Sequence, residues 1–210
     1  PVKSDYPIES GWPTRMTNRA VRGLELLNAD TSISFDEFSA IKHDNAYSPR
    51  YRGYAYLTSV AELEPDGPEE AQALSLLRNW DLHTDTANRS AALGVCILLE
   101  EWQAERTGNA LPDGRETLHT CMDSVRDVAG QLDPEWGTVQ QHGRGQRTWP
   151  AAGGPDTLRA MYAEQLEDED DFLTVVAGDG LYYLIEWNAE GEQRIRGTHQ
   201  YGSQMTDEAS

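Results

Sequence analysis

The stretch Phe172-Leu-Thr-Val-Val-Ala-Gly-Asp-Gly-Leu-Tyr-Tyr-Leu-Ile-Glu-Trp-Asn-Ala-Glu-Gly-Glu-Gln-Arg-Ile-Arg-Gly-Thr-His-Gln-Tyr201 decides how the rest of the chain is read. Two runs rich in Val, Ile, Leu, Tyr and Trp are punctuated by Gly178-Asp179-Gly180 and by Asn188-Ala189-Glu190-Gly191, a pattern that predicts a meander of three antiparallel strands. Val175, Val176, Leu181, Tyr183, Leu184, Ile185 and Trp187 supply apolar side chains to both faces. A ribbon of that size needs other strands or helices over its faces and edges. Little else in the chain reads as strand, so the expectation is a sheet completed by polypeptide outside these residues.

Working outward, the 210 residues are 38% apolar, enough for the core of one large domain or two small ones. The chain starts at Pro1 and ends in the polar run Thr206 to Ser210, which reads as a processed or excised piece of a larger protein. Acidic residues outnumber basic ones 36 to 17, for a net charge of −19. That balance argues against a phosphate-backbone partner and leaves no polybasic patch for a membrane. The longest apolar run, Ala91 to Leu99, is interrupted by Gly94 and falls far short of the roughly 20 residues that cross a bilayer.

Upstream of the ribbon the chain reads as helical. Thr14 to Leu27 places Ala20, Val21, Leu24 and Leu27 on an apolar face and Arg15, Arg19 and Arg22 on another. Ser34 and Glu37 form a capping box that opens a helix burying Phe38 and Ile41. A helix after Pro68 carries Ala73, Leu74, Leu77 and Trp80 on one side. Thr86 to Arg106 is the longest helix and is apolar nearly all round, which marks a buried, central element. Its partner begins after Pro112 with Leu118, Cys121, Met122, Val125 and Ala129 at helical spacing. Residues 131–153 show little periodicity and read as a long surface loop, and Gly154-Pro-Asp-Thr157 reads as the start of a short helix holding Leu158, Met161 and Tyr162. The fold class expected is α+β, with a helical lobe over 1–150 and the short helix and ribbon over 151–210, both within one larger domain.

Cys96 and Cys121 lie almost equally far on either side of the turn around Thr107-Gly-Asn-Ala110, at matching heights in an antiparallel helical hairpin. Two readings stay open: a disulfide, which implies an oxidising compartment, or a pair of small buried hydrophobes.

A self-contained catalytic site is hard to find. His43, His83, His119, His142 and His199 show no metal-ligand spacing, and no paired-cysteine zinc motif exists. Asn28 to Phe38 superficially resembles half of a calcium-binding loop, but Leu26 and Thr31 would occupy a ligand position and the glycine position. The acidic run 167–171 reads as a solvated loop, and no Ser sits in a nucleophile elbow. The arginine face admits two readings. Aligned guanidinium groups can orient a carboxylate or steady an oxyanion, or they form a surface stripe paired with nearby carboxylates.

Met16-Thr-Asn-Arg-Ala-Val-Arg-Gly-Leu-Glu-Leu-Leu27, Ile33-Ser-Phe-Asp-Glu-Phe38, Asp44-Asn-Ala-Tyr-Ser-Pro49 and Leu76-Leu-Arg-Asn-Trp-Asp81 together resemble the C-terminal part of the long chain in penicillin acylase-like N-terminal nucleophile hydrolases. The likeness continues through Gly153-Gly-Pro-Asp-Thr-Leu-Arg159, Val176-Ala-Gly-Asp179 and His199-Gln-Tyr-Gly-Ser203, so it spans nearly the whole chain. The resemblance implies a self-cleaving precursor and a four-layer αββα sandwich whose sheets the ribbon joins. It implies a nucleophile that is the N-terminal Ser of the long chain, outside these residues, as is the oxyanion-hole Asn. Arg19, in Thr17-Asn-Arg-Ala20, matches the position of a family arginine on the first helix after that Asn, and is expected to hold the Asn or the bound substrate; Arg15 and Arg22 are not. No metal or cofactor is assigned to this chain, and a structural calcium is expected elsewhere in the enzyme. The partners implied are the upstream part of the long chain, the short chain of the same precursor and a small amide substrate, such as a penicillin-type side chain or an acyl-homoserine lactone, in a periplasmic or secreted enzyme. The competing expectation is a non-catalytic helical interaction domain whose ribbon augments a partner's sheet.

Overall fold

The computed structural model describes residues 16–144, 147–166 and 171–198. Its helices are α1 (Asn18–Ala29), α2 (Phe35–Lys42), α3 (Gly53–Ala61), α4 (Pro68–Asn79), α5 (Ala91–Thr107), α6 (Gly114–Ala129) and the single turn α7 (Trp136–Val139). Its strands are β1 (Gln140–Arg144), β2 (Arg147–Pro150), β3 (Met161–Glu164), β4 (Leu173–Gly178), β5 (Tyr182–Trp187) and β6 (Gln193–Thr198). The class is α+β.

The core lies among α3 to α6. Val60, Leu74, Leu93, Ile97 and Leu118 are fully buried, and α5 is enclosed on nearly every side, as its all-round apolar sequence requires. Gly94 permits this enclosure, because the Trp80 ring lies where a β-carbon would be, 2.2 Å from the ideal position. Left-handed glycines at 108 and 130 stop α5 and α6. Asp113 caps the start of α6, and Ser34 and Glu37 form the reciprocal capping box that opens α2. Cys96 and Cys121 are joined, their Cα atoms 5.7 Å apart, so one covalent tie links α5 to α6.

The sheets differ from the three-stranded meander expected. β4 does not pair with β5. It belongs to a four-stranded sheet in the order β2-β1-β4-β3, while β5 and β6 form a separate antiparallel hairpin with Ile185 opposite Ile195. Gly178-Asp179-Gly180 is therefore a passage between sheets rather than a hairpin turn. The passage is pinned by Lys42, whose Nζ donates to Asp179 Oδ2 at 2.7 Å and to the Leu158 carbonyl at 3.0 Å. The region read as a surface loop supplies α7, β1 and β2, with β1 antiparallel to β2 and parallel to β4. Its buried side chains are held by polar contacts instead of apolar periodicity: Trp136 Nε1 donates to the Gly153 carbonyl at 2.9 Å, and Gln140 Nε2 to the Ala151 and Gly153 carbonyls at 3.0 Å each. The short helix expected after Gly154 is absent. Asp156 takes a left-handed φ of 57°, which a helix cannot continue through, and Met161 and Tyr162 lie in β3. The four-stranded sheet thus draws strands from both sides of residue 150.

Two helices are less covered than their patterns predict. Leu24 and Leu27 of α1 are 46% and 42% exposed, and Asn18 is the residue α1 buries. In α2 it is Phe35, not Phe38, that is buried, beneath the guanidinium groups of Arg194 and Arg196 from β6.

Candidate functional site

Three of the segments quoted for their family resemblance, 16–27, 44–49 and 153–159, converge at the start of α1. Asn18, fully buried, is the node. Its side-chain nitrogen donates to the carbonyls of Asp156 (3.0 Å) and Ala46 (3.3 Å), and its side-chain oxygen accepts from the Ser48 amide (2.8 Å). Its own amide donates to Asp156 Oδ2 at 2.7 Å. One side chain so ties α1 to the 44–49 loop and to the 153–159 turn. Tyr47 OH closes the same junction by donating to the Pro155 carbonyl at 2.6 Å, and the Arg159 amide donates to the Asp44 carbonyl at 2.8 Å.

Arg19 leaves this junction on the next position of the helix. Its Nη2 donates to Tyr162 OH at 3.3 Å, its Nε lies 3.9 Å from Asp156 Oδ1, and 46% of its side chain is exposed. Burial pushes the Asp156 carboxyl up, against the opposing pull of the Asn18 and Arg19 amides, the Arg19 charge and the Thr17 hydroxyl. A carboxylate at the N-terminus of α1 complements the helix dipole, whereas a cation in the first turn opposes it. Helix stability therefore does not explain an arginine at position 19.

The other arginines behave differently. Arg22 forms a bidentate pair with Asp44, Nε to Oδ1 at 3.0 Å and Nη2 to Oδ2 at 2.8 Å, which raises its pKa and commits its fork inside the fold. Arg15, the residues 167–170 of the acidic run and the His199 to Ser203 stretch lie outside the described residues. The histidines that are described are dispersed: His43 beside Tyr182, His83 beside Asn45, His119 beside Glu70, and a half-buried His142 whose pKa burial lowers. Among the described residues no three His, Cys, Asp or Glu side chains gather in a way that could hold a metal ion.

Sequence reasoning did not find Asn18, Asp156 or Tyr162. Asn18 falls inside the helix expected from Thr14, and Gly154-Pro-Asp-Thr157 reads as a helix opening. The signal available was turn chemistry, since a Gly-Gly-Pro-Asp run suits left-handed backbone, here realised at Gly153 and Asp156.

Fold and site define an α+β unit that holds one arginine at the head of a helix and presents it on an uncovered face. The chain belongs to the penicillin amidase family, whose profile it matches over residues 1–206. That membership places it with the acylases, hydrolases that cleave amides. No curated protein matches the chain.

Proposed function

We propose that this chain is the C-terminal segment of the long chain of an acylase that removes an acyl group from a small amide through a Ser located outside these residues. The Ser hydroxyl, its proton taken through a water by the Ser α-amino group, attacks the amide carbonyl. The tetrahedral intermediate collapses to an ester with release of the protonated amine, and water then hydrolyses the ester. Arg19 holds the oxyanion-hole Asn or the bound substrate. The observation that carries this reading is the placement of Arg19, held through its guanidinium by Tyr162 and Asp156 yet 46% exposed, in a helical position that the helix dipole alone disfavours. The amide is a penicillin-type side chain or an acyl-homoserine lactone, the enzyme is periplasmic or secreted, and a structural calcium belongs to another part of it. The disulfide supports such a compartment.

In the complete processed enzyme, Arg19→Ala is expected to lower kcat/KM for amide hydrolysis by about 10- to 100-fold, somewhat less than loss of a direct oxyanion donor. Intact-mass analysis is expected to find an upstream polypeptide beginning with Ser. The exposed hairpin face of Tyr183, Ile185, Trp187 and Ile195 favours a second reading, a non-catalytic domain that augments a partner's sheet. Under that reading Arg19→Ala leaves turnover unchanged.

A further inference from the structure

We propose that Asp156 and Tyr162 are the positioning pair for Arg19, holding its guanidinium in the orientation that acyl transfer requires. The proposal rests on the catalytic reading of Arg19 above. The two residues meet different nitrogens of the fork. Tyr162 OH accepts from Nη2 at 3.3 Å, while the Asp156 carboxylate lies 3.9 Å from Nε. An arginine fork has five N–H donors, so two contacts leave others for a ligand or a neighbouring side chain on the open side.

Each holder is itself held. Asp156 is fixed at its carboxylate by the Asn18 amide (2.7 Å) and at its carbonyl by the Asn18 side chain (3.0 Å), in a left-handed backbone conformation with φ 57°. Tyr162 stands opposite Ala177 at the edge of the four-stranded sheet, and the register shifts between Tyr162 and Ala163. Such irregularities re-aim a side chain. Its ring packs 6.4 Å from that of Trp102, centroid to centroid, which steadies the phenol from α5. Arg19 is thus referenced to a helix, a turn and a strand at once. A guanidinium on a flexible stem loses little further freedom on meeting its target when it is held in advance.

The test is a double-mutant cycle in the complete processed enzyme. The substrates are p-nitroanilides of phenylacetic acid and of straight-chain fatty acids, with rates expressed per Ser nucleophile titrated by phenylmethylsulfonyl fluoride. Tyr162→Phe keeps the ring against Trp102 and removes the acceptor; Asp156→Asn keeps an acceptor for the Asn18 amide and removes the charge. Each is expected to lower kcat/KM by about 5- to 10-fold, with the same division between kcat and KM as Arg19→Ala. Adding either change to Arg19→Ala is expected to cost no more than about twofold, because the pair acts through the residue already lost. A merely structural role gives losses that multiply. Multiplying losses, or wild-type rates for both variants beside an impaired Arg19→Ala, overturn the positioning pair and leave Arg19 standing. Wild-type turnover in Arg19→Ala, or a wild-type enzyme inert to every anilide, removes the reading of Arg19 and the pair with it.

Discussion

At position 94 two residue-level tendencies oppose each other. Alanine in place of a helix-interior glycine ordinarily gains about 1 kcal/mol. Here the new β-carbon would sit 2.2 Å and 2.3 Å from Trp80 ring atoms. The ring cannot easily withdraw, because its Nε1 donates to the His83 carbonyl at 2.8 Å and its face meets Tyr47 edge-on at 5.7 Å. Overpacking of this kind costs about 1–3 kcal/mol, so Gly94→Ala is expected to be destabilising despite its better helix propensity. The midpoint of urea unfolding reads the outcome, and a midpoint at or above that of the parent would show that Trp80 repacks freely. A similar accounting explains why Gly197 faces Tyr183 across the hairpin: the ring covers a position where a β-carbon would fall 2.5 Å from it.

Between elements, the clearest titratable contact is the clamp of α4 to α6. Glu70 accepts from the Asp66 amide at 2.7 Å, and its other oxygen lies 2.6 Å from His119 Nε2, while Arg115 pairs with it and donates to the Glu64 carbonyl. The Asp66 amide first, then His119 and Arg115, lower the Glu70 pKa from its ordinary 4.5 to about 2. A carboxyl depressed in the folded state stabilises it fully above the unfolded value and ceases to do so as pH falls through the folded one. The clamp is therefore expected to hold above about pH 4.5 and to weaken progressively toward pH 2. Thermal midpoints measured from pH 6 to 3 should fall less steeply for Glu70→Gln than for the parent, and parallel curves would remove Glu70 as the source. Elements with their own apolar period, α4, α5 and α6, were legible in the sequence, as were the Ser34–Glu37 cap and the β5–β6 hairpin. β1 and β2 were not, because Gln140 and its neighbours are buried by hydrogen bonding to carbonyls ten or more residues on, which leaves no alternation to read. The separation of β4 from β5 was equally hidden, since the contact that pins the passage joins Lys42 to Asp179, 137 positions apart.

For the molecule as a whole, the hairpin of β5 and β6 carries a bare apolar face. One face of the hairpin docks on α2 through Leu184, Tyr182 and the arginines of β6, whereas the opposite face shows Tyr183, Ile185, Trp187 and Ile195 at 45–60% exposure. Contiguous apolar surface of that kind marks an interface. If the chain is the acylase segment proposed above, a charge placed at its centre, Ile185→Lys, is expected to cut the yield of assembled, processed enzyme several-fold while Cys96–Cys121 and the helical core stay intact. Copurification of the upstream polypeptide reads this result, and undiminished yield would show that the face remains in solvent. The resemblance singled out Arg19, but its contacts with Asp156 and Tyr162 were hidden in the sequence, because they meet it only once the chain has returned 137 and 143 positions later. The junction beneath it also sorts the letters that each position tolerates. Position 18 must donate twice and accept once within a space closed to water, which only a carboxamide of that length satisfies, so selection for folding alone narrows it nearly to one amino acid. Position 19, half in the open, makes its contacts through the guanidinium alone, to Tyr162 OH and toward Asp156. Two adjacent residues thus differ in what surrounds them, one enclosed by backbone partners and the other turned half into the open.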